Sequence, residues 1–102
     1  MTRINADSVN ALSNVLREVR VLLSGSQDSA WAVVTVSDLL VSIDKQIASL
    51  DASQACYVSD LKQIFAPTGA LQDIAADNGW GSQFIRLSAE FDNIEFQVQE
   101  MF

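Results

Sequence analysis

Few side chains in this sequence could do chemistry, and they do not combine. Cys56 is the only cysteine, and histidine is absent. Nucleophilic catalysis of the Ser-His-Asp or Cys-His kind needs a base that titrates near neutrality, and histidine is the usual one. Cys56 lies in "SQACYVSD", a stretch expected to be helical and without a nearby cation. A buried, inert thiol is therefore expected there rather than a reactive thiolate. One thiol and no imidazole leave a transition-metal site almost without ligands, so no metal or other cofactor is expected. Asp73 and Asp77 stand one helical turn apart and could share acid–base work, but such a pair on a helix surface is usually just solvated. The residue inventory points to a non-enzymatic protein.

The conformationally special residues cluster in "FAPTGALQDIAADNGWGSQF" (Phe65 to Phe84), which holds the only proline, three of the four glycines and one of the two tryptophans. "GWG" lacks the Lys-Ser/Thr ending and the preceding strand of a phosphate loop. "DIAADNGWGSQF" lacks the alternating oxygen ligands and closing glutamate of a calcium loop. Backbone roles account for most of the segment. Pro67 stops the helix before it. Thr68 caps a short helix, and Asn78-Gly79 ends that helix with Gly79 in the left-handed region. Trp80 is placed to fold back on Ile74 or Ala75, Gly81 allows a tight turn, and Ser82 caps the last helix. The functional alternative is a small-molecule-binding or enzymatic module using the 67–81 segment, a pocket with Trp80 at its mouth and Thr68 and Asn78 as polar contacts.

"IFAPTGALQDIA" followed by "NGWGSQFIRLSAEFD" resembles a segment of small bacterial helical proteins to which no activity is attached. The likeness runs from about Leu61 to Asp92 and is weaker in the second helix. It implies a bacterial helical domain and nothing about catalysis. Ile74 to Asn78 is the more variable part of that pattern.

The charge is one-sided: thirteen acidic against six basic residues give a net charge of −7. That disfavours a nucleic-acid backbone and an anionic membrane surface, both of which require a positive face. It permits a basic protein partner. The final third carries Asp73, Asp77, Glu90, Asp92, Glu95 and Glu100 against Arg86 alone. These acids are either a solvated face or a docking surface that steers a partner. "MTRINADSVN" has no apolar core of a signal peptide, and no window is apolar over the ~18 residues a membrane span needs. A cytoplasmic protein is the expectation.

Apolar spacing of three and four residues predicts the elements that position these groups. The first helix is expected from Asp7 to Ser24 on Val9, Leu12, Leu16, Val19 and Leu23, capped by Asp7 or Ser8 and stopped at Gly25. The second runs from Ser29 to Leu50 on Val33, Val36, Leu40, Ile43, Ile47 and Leu50, with Asp28 as cap. "AWAVVTVS" would also suit a strand, but the three-four rhythm continues too far for one. A shorter helix spans Ser53 to Ala66, with Val58, Leu61 and Phe65 inward. The last runs from Ser82 to Phe102 on Phe84, Leu87, Phe91, Ile94, Val98 and Met101. The fold class that follows is all-α: one domain over residues 1–102, an antiparallel helical bundle of three long helices plus one or two shorter ones.

Trp31, Val34, Val41, Ile85 and Phe96 fall outside these seams. A second small core under the shorter helix and the 67–81 segment is the preferred account of them, and an exposed patch is the alternative. With the acids, Trp31 and Phe96 make a candidate partner-binding set: Trp31, Phe96, Glu90, Asp92, Glu95 and Glu100. The leading functional reading is a small acidic interaction protein, immunity-like or adaptor-like, binding another protein or a second copy of itself.

Overall fold

The stripe Leu12, Leu16, Val19 and Leu23 lies on the inner face of the first helix, α1 (Ala6–Ser24), with none of the four more than 1% exposed. The computed structural model describes the backbone of residues 2–30, 32–66 and 69–100 and the side chains of residues 4–30, 32–66 and 69–97. The expectations for Trp31, Pro67 and Thr68, and for the side chains of Val98, Glu100 and Met101, lie outside the described residues. The cap of α1 is Asn5, whose Oδ1 accepts the Ser8 N–H at 2.8 Å. Asp7 and Ser8 were expected to cap it, but the helix begins before them, so Asp7 instead faces the positive end of the helix dipole from the first turn. Gly25 closes the helix at φ −95°, so its tolerance of positive φ is not used there.

The second long helix, α2, spans Val36–Ser53 and starts later than the Ser29 expected from periodicity. A capping box explains the difference. Thr35 Oγ1 accepts the Asp38 N–H at 3.1 Å, and Asp38 Oδ2 accepts the Thr35 N–H at 3.4 Å. Two orphan donors are met at once, which makes Thr35 a stronger start than any residue of the β-branched run before it. Asp28 still serves the helix, at a distance, because its Oδ1 accepts the Val36 N–H at 2.7 Å. Val33, placed on the seam by spacing, is 99% exposed because the helix has not yet begun. Leu39 is buried in place of Leu40, which is half-buried.

Gln54 takes the left-handed conformation at φ 52° and turns the chain out of α2. A short strand, β2 (Ala55–Cys56), then pairs antiparallel with β1 (Thr2–Arg3), with Thr2 opposite Cys56 and Arg3 opposite Ala55. The helix expected from Ser53 to Ala66 is thereby cut to α3 (Val58–Ile64), and Cys56 lies in a strand. Then come α4 (Ala70–Asp77) and α5 (Gly81–Glu100). The N-cap of α4 is Gly69 rather than Thr68, and α5 starts at Gly81, ahead of the expected cap Ser82.

The protein is mostly helical, with that two-residue ladder as its strand content among the described residues. Helix α1 packs on α2 and on α5, and α4 packs on α5. Phe84, Leu87, Phe91 and Ile94 form the buried seam of α5, and Phe91 stacks on Phe65 with ring centroids 4.7 Å apart. Ion pairs brace the rim: Arg17 with Asp51 at 2.9 Å, Arg20 with Asp44, and Lys62 with Glu95 at 3.1 Å. No described helix is long and apolar enough to cross a membrane.

Candidate functional site

Asn78 and Trp80 sit at the C-terminal end of α4. Gly79 adopts φ +80°, the region that only glycine enters without steric cost. The Trp80 N–H then reaches back to the Ala75 carbonyl at 2.9 Å, and the Asn78 N–H to that of Ile74 at 3.0 Å. This is the Schellman ending that Asn-Gly followed by an apolar residue predicts. Trp80 is 4% exposed and shares one apolar cluster with Ile74 and Ala75. Its indole Nε1–H donates to Ser26 Oγ at 2.9 Å, and that hydroxyl donates to the Leu22 carbonyl at 2.7 Å.

The neighbours of Trp80 grip the same loop. Asn78 Oδ1 accepts the Gln27 N–H at 2.9 Å, while its Nδ2 donates to the carbonyls of Gln27 at 2.8 Å and Ile74 at 2.9 Å. The hydroxyl of Ser29 donates to Asp77 Oδ2. "DNGW" thus fastens "SQDS", the start of the connection between α1 and α2. The polar atoms of Asn78 and Trp80 proposed as ligand contacts are occupied by this clasp, and Asp77 is not a free carboxylate. Sequence spacing could not find the clasp, since its halves lie about fifty residues apart.

The candidate partner residues divide by helix face. At 100° per residue, Ile85, Ala89, Asp92 and Phe96 recur at four-three-four spacing and form a second stripe, roughly 150° around α5 from the buried seam. All four are exposed, Ile85 at 70% and Phe96 at 61%. Val41 is likewise exposed at 69%, so among the described residues no second small core covers Val41, Ile85 or Phe96. Val34 alone of the described set is half-buried.

The acids are not equivalent. Glu90 accepts from Arg86 at 3.2 Å on the side of α5 that meets α1, where Arg86 also donates to Glu18. The Arg86 guanidinium is held above its ordinary range, chiefly by the bond to Glu18. Glu95 is paired with Lys62 and its side chain is only 14% exposed. Asp92 is exposed and has no ion-pair partner among the described residues.

Two shallow hollows of about 230 Å³ each lie beside the second stripe. One is bounded by Gln72 of α4 and by Ile85, Ala89 and Asp92. The other is bounded by Lys62, Phe65, Asp92 and Glu95. They share Ser88 and Asp92, so they adjoin along α5 with Asp92 between them.

Cys56 is wholly enclosed, and burial pushes its thiol up to about 11, so it is protonated at neutral pH. Among the described residues no three His, Cys, Asp or Glu side chains gather as metal ligands would. No protein-family model matches this chain, and neither do the curated proteins or the solved structures compared with it.

Proposed function

We propose that this is a small acidic interaction protein, immunity-like or adaptor-like and non-enzymatic, that seats an amphipathic helix of basic and apolar residues along the outer face of α5. One observation carries the reading. Ile85, Ala89, Asp92 and Phe96 form a helical stripe that nothing in the described fold covers, beside two adjoining hollows with an unpaired carboxylate between them. Exposed apolar rows rimmed by charge are what protein-binding helices present. The stripe extends about 16 Å along the helix axis, which suits a partner helix of three turns. A net charge of −7 favours a basic partner over a second copy of the same chain.

The scaffold under this surface is, in our reading, an antiparallel bundle of α1, α2 and α5 with α3 and α4 as the shorter helices. Arg17 pairs with Asp51, while Arg20, further along α1, pairs with the earlier Asp44, as oppositely running helices require.

The test uses two synthetic helical peptides of equal length, one Lys/Leu and one Glu/Leu, titrated into ¹⁵N-labelled protein. The Lys/Leu peptide is expected to shift the amides of residues 85–96 and Gln72 saturably, with affinity falling as salt rises. Equal shifts by both peptides, or shifts centred elsewhere, would overturn the proposal.

A further inference from the structure

A larger hollow of about 320 Å³ opens on another side of the molecule, where α2, α3 and the start of α4 meet. Its volume is at the lower end of the range for small-molecule sites. Leu39, Ile64 and Leu71 supply apolar wall, Lys45 and Asp60 the charged groups, and Gln46 and Gln63 the amides.

Gln46 is the informative residue, because it is a polar side chain only 2% exposed. Its Oε1 accepts the Tyr57 N–H at 2.9 Å, which fixes the orientation of the amide. The other end must be the NH₂ group, and Nε2 has no acceptor among the described residues. No wholly enclosed side-chain nitrogen or oxygen among those residues lacks a partner. The small exposed remainder of Gln46 therefore belongs to this NH₂, and the space it meets is the hollow it lines. A buried amide donor kept at a cavity wall is costly unless something accepts from it.

Lys45 follows the same logic. Its Nζ lies 5.5 Å from the centroid of the Tyr57 ring, and it makes no ion pair with a described carboxylate. An ammonium and an amide NH₂ thus serve one hollow whose remaining wall is aliphatic apart from Ser42, Asp60 and Gln63. Asp60 in the same wall repels any anion, and a doubly charged one about twice as strongly as a monoanion at the same distance.

We propose that this hollow is a binding site for a compact monocarboxylate with an apolar tail. The carboxylate accepts from Gln46 Nε2 and Lys45 Nζ, and the tail lies against Leu39, Ile64 and Leu71. The site does not depend on the α5 surface, and either can fail without the other.

Sodium hexanoate, hexylammonium chloride, hexyl phosphate and hexanol serve as probes, each titrated into ¹⁵N-labelled protein. Hexanoate is expected to shift the amides of residues 42–46, 60–64 and 70–71 saturably, with Kd on the order of 0.1–1 mM, ordinary for a ligand this small. The other three are expected to bind at least tenfold more weakly. Gln46→Glu keeps the acceptor for the Tyr57 N–H but replaces the donor with an oxygen, and should weaken hexanoate binding at least tenfold. Burying that charge could unfold the chain, so Lys45→Met, at an exposed position, is the second variant. It should weaken hexanoate about fivefold to tenfold and leave hexanol unchanged. Tighter binding of the amine or the phosphate than of hexanoate, no saturable shift, or full affinity in Lys45→Met would overturn the proposal.

Discussion

The Cys56 thiol, fully enclosed in a strand of two residues, titrates near 11 because burial disfavours the thiolate. In the unfolded chain a thiol ionises near about 8.5. A folded pKa raised above the unfolded one stabilises the fold fully below the unfolded value and loses that contribution as pH climbs toward the folded value. The stability difference between the native chain and Cys56→Ala should therefore be constant up to about pH 8 and shrink between about 8.5 and 11. Urea denaturation of both proteins at pH 7.5 and pH 10 measures it. An unchanged difference would show that the thiolate is tolerated inside. Trp80 makes the same point by geometry. An aromatic between two glycines suits either packing on the helix end or a pocket wall, and its ring is buried with its Nε1–H held by Ser26.

At the scale of elements, α4 and the loop after α1 depend on one another through Asn78. Its amide satisfies both backbone groups of Gln27 as a neighbouring strand would, and also meets the Ile74 carbonyl. Asn78→Ala is expected to cost about 1–3 kcal/mol and to accelerate hydrogen exchange at the Gln27 amide. Unaltered exchange there would mean the loop is held by its other bonds. The stripes of α1 and α5 and the Asn-Gly stop were legible in the sequence because each is local: a period of three and four, or a glycine at a helix end. The start of α2 was also written locally, in Thr35 and Asp38, but the apolar rhythm of Val33 and Val36 overrode it. The β1–β2 ladder and the grip of "DNGW" on "SQDS" join distant residues, and no periodicity encodes them. Of the candidate surface, Phe96 and Asp92 were legible. The spacing that links them to Ile85 and Ala89 became visible once the buried face of α5 was known. Glu90 and Glu95 could not be set aside from sequence, because their partners Arg86 and Lys62 are chosen by packing.

For the whole molecule, the surplus of acid over base and the uncovered stripe on α5 form one argument. Under the proposed function, a long-range negative field would steer basic partners toward the surface, and the apolar row would hold what arrives. Because Phe96 and Ile85 are mostly exposed, changing them should leave stability within about 0.5 kcal/mol, so surface and scaffold can be tested separately. The most direct measurement is titration of the Phe96→Ser and Asp92→Lys variants with the Lys/Leu peptide, followed by ¹⁵N shifts over residues 85–96. The account predicts native melting for both variants. It predicts at least tenfold weaker binding for Phe96→Ser, and for Asp92→Lys a loss of preference for the Lys/Leu over the Glu/Leu peptide. Native affinity and native preference in both variants would contradict it.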